Sequence, residues 1–239
     1  MNVSTYRFVP LPDAAALVEP LRERAEAAGL KGTVLLAPEG INLFLAGHAE
    51  PLRGWLDLLR SDARFAGLDA KESWSDTQPF RRLKVKFKRE IIRMNWCMPP
   101  EQPRAPALDA PTLKRWLDQG HDDEGRPVRM LDTRNAFEVD AGGFEGAVDW
   151  RISKFTEFPQ ALRAHREDLA SCTVVSYCTG GIRCEKAALL LQQELDTPVF
   201  QLDGGILRYF ELAGGAHYRG GCFVFDERET LNERLLPSG

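Results

Sequence analysis

No apolar run in the sequence approaches the ~18 residues that a membrane-spanning helix requires. The first seven residues, Met1-Asn2-Val3-Ser4-Thr5-Tyr6-Arg7, lack the charged-then-apolar layout of a secretory signal, so a cytoplasmic protein with no membrane partner is expected. Cysteine is scarce. The five present, at 97, 172, 178, 184 and 222, are odd in number and contain no C-x-x-C pair, which argues against a disulfide framework and a zinc ribbon. The four histidines, at 48, 121, 165 and 217, are equally scattered, and no metal site is expected. A dinucleotide fingerprint and an evident iron triad are both missing, so no cofactor is evident and an electron source for redox chemistry is unidentified. Neither charge is in strong excess: 31 Lys and Arg against 35 Asp and Glu give a net charge of −4. Binding to a polyanion would therefore depend on a local patch.

What is present describes a globular protein of two domains. The chain has 239 residues, 44% of them hydrophobic and 28% charged, and exceeds the ~100–150 residues of a common single domain. It divides at Met98-Pro99-Pro100-Glu101-Gln102-Pro103-Arg104-Ala105-Pro106, where four prolines block helix and central strand alike. The expected organisation is a first domain over 1–97, a linker over 98–106, a second domain over 107–216 and a tail over 217–239.

In the first half, residues 6–11 read as a strand, and Asp13 can cap a helix carrying Ala16, Leu17, Leu21 and Ala25 until Gly29 ends it. Residues 33–37 and 41–46 form a hairpin around Pro38-Glu39-Gly40, and Leu52, Trp55, Leu56 and Leu59 mark a second amphipathic helix. One or two strands follow between Leu68 and Met94. This β-α-β-β-α-β order predicts a ferredoxin-like α+β sandwich, a fold that hosts many unrelated functions.

The last of those strands alternates Leu83, Val85 and Phe87 with Arg82, Lys84, Lys86 and Lys88. At ~3.3 Å per residue its four cations recur roughly every 6.6 Å on one face, a row able to follow a phosphate backbone. Arg81, Arg89 and Arg93 add charge nearby. The same row also fits an edge strand whose lysines discourage sheet-to-sheet pairing. Glu39-Gly40-Ile41-Asn42 reads as a hairpin turn and only weakly as a binding loop.

In the second half, Asp109 caps a helix through Leu113, Trp116 and Leu117, and 128–131 is a buried strand ending in Asp132-Thr133-Arg134. A helix near 160–169, strands at 173–176 and 198–202, and a helix over 206–212 after Asp203-Gly204-Gly205 imply a mostly parallel sheet covered by helices. Between strand and helix stands Tyr177-Cys178-Thr179-Gly180-Gly181-Ile182-Arg183-Cys184. Glycines 180 and 181 let successive N–H groups turn inward, the helix adds its positive end, and Arg183 adds a full charge. All three favour thiolate over thiol at Cys178. Asp132 and Arg134 fall at the same sheet edge, as a buttressing ion pair or as chemical groups. Cys184 is either a resolving thiol for Cys178 or packing at the helix start. Glu185 reads as a first-turn charge.

Asp132-Thr133-Arg134 with Glu138, the Gly143-Phe144-Glu145-Gly146-Ala147 run, Cys178 to Arg183, and Asp203-Gly204-Gly205-Ile206 occur in the order used by the rhodanese domain, which 105–216 resembles. In that family the loop cysteine carries a persulfide, held by the loop N–H groups and the arginine. Related phosphatases use His-Cys-x-x-x-x-x-Arg; here Tyr177 precedes the cysteine and four residues separate Cys178 from Arg183, which disfavours phosphatase chemistry. The string at 177–186, the Glu39 to Asn42 turn and Phe223-Val224-Phe225-Asp226-Glu227-Arg228 further resemble the tRNA uridine(34) hydroxylase family.

That resemblance implies a ferredoxin-like domain followed by a rhodanese-like α/β domain. It implies oxidation of the wobble uridine of tRNA to 5-hydroxyuridine by molecular oxygen, with Cys178 and Arg183 catalytic and the anticodon region presented to the loop. The alternative is a sulfurtransferase passing persulfide sulfur from a protein or small donor. Two departures stand out. Gly143 occupies a position where many rhodanese relatives have histidine, and the chain ends at Gly239 without the cysteine-rich tail of longer members, a departure expected to remove a metal or RNA contact and leave the loop intact.

Overall fold

The computed structural model describes residues 1–99, 103–225 and 229–237. Residues 100–102 of the Pro-rich connection and the Asp226-Glu227-Arg228 part of the C-terminal motif lie outside them. The chain forms two compact units, one built on Met1–Arg93 and the other on Met94–Met98 and the chain from 103 onwards. No helix among the described residues is long and apolar enough to cross a membrane.

The first unit runs β1 (Asn2–Phe8), α1 (Val18–Ala27), β2 (Lys31–Ala37), β3 (Gly40–Ala46), α2 (Ala49–Arg60), β4 (Lys71–Ser73) and β5 (Leu83–Phe87). Its sheet order is β4-β1-β3-β2-β5, the expected ferredoxin-like arrangement with one strand added beyond β2. Of the one or two strands expected after Leu68, two form, and they take opposite edges. The β1–β3, β2–β3 and β1–β4 pairs are antiparallel, and β5 lies parallel to β2.

Leu52, Trp55, Leu56 and Leu59 of α2 are all buried against Val34, Leu36, Ile41, Leu43 and Leu45 of the sheet. Each such side chain contributes about 1.5–3 kcal/mol on burial. Two boundaries differ from expectation. The first strand begins at Asn2 and stops at Phe8, and the first helix starts at Val18 without a side-chain cap. Asp13 is not that cap: its carboxylate is taken by Arg64, whose other partner is Asp62. The Glu39 turn has a structural use, since Glu39 accepts the Ile91 N–H at 2.8 Å while Asn42 donates to the Ile91 carbonyl at 3.1 Å.

The second unit contains β6 (Ala107–Leu108), α3 (Ala110–Gln119), β7 (Val128–Asp132), α4 (Ala136–Val139), β8 (Gly142–Phe144), α5 (Phe158–His165), β9 (Thr173–Tyr177), α6 (Ile182–Glu194), β10 (Val199–Leu202), α7 (Gly205–Ala213), β11 (Tyr218–Gly220), β12 (Cys222–Phe223) and β13 (Thr230–Leu231). Its main sheet, β6-β10-β9-β7, is parallel throughout. Asp109 caps α3 as expected, accepting the Thr112 N–H at 2.8 Å. The central strand β9 is buried along its whole length, and α6 is buried from Arg183 through Leu191; a helix enclosed on all sides reads as continuously apolar, as this one does from Ala187 to Leu191. Residues after 216, set apart in sequence as a tail, supply β11, which pairs with β8, and the β12–β13 ribbon.

Candidate active site

Catalytic groups in a parallel sheet collect beyond the carboxyl ends of its strands. Asp132 ends β7, opposite Tyr177 at the end of β9, and Cys178 follows directly. Residues 178–181 then turn into α6. Gly181 adopts φ +105°, a left-handed backbone that favours glycine, and this aims its N–H at the Cys178 sulfur, 3.1 Å away.

The loop is clamped from several sides. The Ile206 and Leu207 N–H groups at the start of α7 donate to the Cys178 and Thr179 carbonyls at 2.9 and 3.2 Å. That approach requires Gly205: a Cβ there would lie 2.4 Å from the Cys178 oxygen, and its φ is +67°. Thr179 Oγ1 donates to the Phe223 carbonyl at 3.2 Å, tying the loop to β12. Gly180 leaves open space where a Cβ would stand.

Cys178 is 1% exposed. Burial alone would push its thiol up. The adjacent Cys184 thiol, the Arg183 charge and the Cys184 and Gly181 amides outweigh that cost and bring it down to about 5. Cys184 moves the opposite way: burial and the neighbouring Cys178 sulfur push it well up, and its thiol donates to the Gly181 carbonyl at 3.1 Å. The two sulfurs therefore titrate apart, Cys178 as the thiolate and Cys184 as the retained thiol.

Arg183 does not point freely at the sulfur. Its two terminal nitrogens bind Glu138 at 2.5 and 2.7 Å, with the carboxylate fully buried. Glu138 also accepts the Asn135 N–H at 3.0 Å in the capping box of α4. The motif that contains Glu138 gives no local sign of this partner, 45 residues away. Asp132 and Arg134 form a fully buried ion pair at 2.6 Å, and Arg134 also donates to the Gly142 carbonyl at 2.6 Å. Of the two readings left open for them, the geometry matches the buttress. Gly143 lies against this pair: a Cβ there would come within 3.4 Å of Tyr177 Oη and 3.5 Å of Arg134. The tyrosine before the cysteine thus fills the space beside a glycine at 143.

Glu185 sits in the first turn of α6, but it is buried and holds Arg104 through contacts of 2.6 and 2.8 Å. It is an interior ion-pair partner instead of a surface charge. In the first unit, β5 is an edge strand with Val85 inward and Arg82, Lys86 and Lys88 exposed. Lys84 lines a cavity of ≈ 520 Å³ with Arg81, Arg82 and Phe80. Arg22 donates to the otherwise open Val85 carbonyl at 3.0 Å. Lys84 is half-buried and Phe87, expected on the apolar face with Leu83 and Val85, is 47% exposed.

The two halves match two families: residues 1–91 the UPF0176 acylphosphatase like domain and residues 109–211 the Rhodanese-like domain. Among solved structures, a Saccharomyces cerevisiae homolog of single-domain rhodanese and the Cdc25 phosphatase catalytic domain is 26% identical with a TM-score of 0.38, over 45% of this chain and 80% of its own. Full-length similarity lies elsewhere. The tRNA uridine(34) hydroxylase of Variovorax paradoxus is 64% identical over 97% of this chain and 88% of its own. That of Delftia acidovorans is 63% identical over 98% and 90%. Because this identity runs through the basic-strand unit as well as the cysteine loop, the chain belongs to the tRNA uridine(34) hydroxylase family.

Proposed function

We propose that this protein hydroxylates C5 of the wobble uridine, position 34, of tRNA to 5-hydroxyuridine, with Cys178 as the nucleophile and molecular oxygen as cosubstrate. The observation that carries this reading is the thiolate-favouring Cys178 cradle in a chain whose relatives bear that name over nearly their full length. In this reading the protein works in the cytoplasm, on the anticodon region.

Uracil C5 is a poor nucleophile until something adds at C6. Attack of the Cys178 thiolate forms the S–C6 bond and moves the C5–C6 electron pair toward C4–O4, making C5 enolate-like. C5 then takes up oxygen and a proton to give a hydroperoxide. Two electrons and two protons from an external dithiol, which leaves as its disulfide, cleave the O–O bond to the C5 hydroxyl and water. Loss of the C5 proton expels the thiolate and restores the double bond. Arg183 and the Gly181 N–H stabilise the thiolate before attack and after release.

Arg82, Lys84, Lys86 and Lys88 supply a sequence-independent phosphate surface in this reading. A second reading keeps the same cradle for a persulfide, since an N–H aimed at the cysteine sulfur also suits a sulfur-transfer loop. The experiment that separates them incubates purified protein with unmodified tRNA and a dithiol in air, with and without thiosulfate, followed by mass spectrometry of the RNA and of Cys178. One added oxygen at position 34 without a sulfur donor supports hydroxylation. Unchanged RNA beside a cysteine that gains and passes on sulfur supports transfer.

A further inference from the structure

One side of the Cys178 loop carries three phenylalanines that the chemistry above does not use. Phe137 in α4, Phe223 in β12 and Phe225 just beyond it pack edge to face, with ring centroids 5.2 Å apart for Phe137–Phe223 and Phe223–Phe225 and 6.3 Å for Phe137–Phe225. Three contacts fix the cluster to the loop. Thr179 bonds the Phe223 carbonyl, Phe137 directly precedes the Glu138 that holds Arg183, and the Arg183 guanidinium lies 5.9 Å from the Phe225 centroid. The cluster is nonetheless unfinished as a core, because Phe137 remains 50% exposed and Phe225 68% exposed. This aromatic surface stays open beside the cysteine loop and its arginine.

We propose that Phe137 and Phe225 form a stacking platform for an unpaired nucleobase of the RNA strand presented to Cys178. The inference rests on the tRNA reading above and names how that substrate is held. A thiolate reaches C6 only over the face of the uracil ring, so the reacting base must be drawn out of its stack. Proteins that read unpaired RNA replace lost base stacking with aromatic side chains, whose π faces accept any base. The Arg183 guanidinium lies over the Phe225 ring and ties the platform to the cysteine loop. Phe137 and Phe225 are positioning residues: they bind the base and take no part in bond making.

The test uses full-length Phe137→Leu, Phe225→Leu and Phe225→Trp proteins with unmodified anticodon stem–loop RNA. It measures binding, the KM and kcat of hydroxylation, and the thiolate titration of Cys178. Each leucine variant is expected to weaken binding by about five- to a hundredfold and raise KM in step. The tryptophan variant should restore both, with the Cys178 titration unchanged throughout. Repeating the binding with an abasic residue at each unpaired position in turn should abolish the leucine penalty at one position.

Leucine variants that bind like the wild type would overturn the platform. So would a penalty equal on every abasic RNA, which would leave the patch to a protein partner. A wild-type protein that binds the stem–loop but leaves uridine unmodified would count against hydroxylation, while the leucine-against-abasic comparison would still decide the platform.

Discussion

Glu138 receives both terminal nitrogens of Arg183, at 2.5 and 2.7 Å, inside a site where the carboxylate has no access to water. The arginine that stabilises the Cys178 thiolate is therefore itself held by a buried anion. Removing one partner of such a pair leaves an uncompensated charge, at a cost of about 3–5 kcal/mol. Glu138→Ala is expected to lose that much stability in urea unfolding. Glu138→Gln, which keeps an acceptor, should lose less and still bind RNA.

The Cys178 thiolate should persist well below neutrality. Its folded value is about 5, whereas an unperturbed thiol titrates near ~8.5. The charged form is thus lost only as pH falls through about 5. Ultraviolet thiolate absorbance, taken as the difference between wild type and Cys178→Ser, should stay full at pH 7 and fall by half near pH 5. In denaturant the same signal should fall by half near pH ~8.5.

The Cys184 thiol, which donates to the Gly181 carbonyl within the loop, contributes to that depression. Hydrogen bonds to charged groups contribute about 1.5–3 kcal/mol, so Cys184→Ala should raise the Cys178 midpoint by about one to two pH units. Cys184→Ser retains a donor and should move it less. Equal shifts in the two variants would mean that Cys184 acts through packing alone.

Gly205→Ala places a methyl group 2.4 Å from the Cys178 carbonyl oxygen at φ +67°. Backbone strain of this kind costs about 1–3 kcal/mol, and the loop must move to relieve the clash. Activity should fall further than thermal stability does, as measured by kcat beside a melting curve.

Much of this arrangement is legible in the residues because its signals are local. The alternation in β5, the i, i+3, i+4 pattern of α2, the Asp109 cap and the glycine-rich turn after Cys178 each occupy a few consecutive positions. What escapes is pairing at a distance. Nothing near Arg183 identifies Glu138, nothing near Thr179 identifies Phe223, and Asp13 looks like a helix cap until Arg64 takes its carboxylate. Phe137 and Phe225 are ordinary apolar residues in sequence, and only the fold brings them together at the loop. Burial of Glu185 is likewise hidden, because a charge in the first turn of a helix usually faces water.

The most direct measurement supplies isotopically heavy oxygen gas to wild-type protein, unmodified tRNA and a dithiol, then weighs the nucleoside from position 34. One heavy oxygen on that uridine with the wild type, and none with Cys178→Ser, is the predicted result. Hydroxylation that survives Cys178→Ser, or a product oxygen drawn from water, would contradict the account.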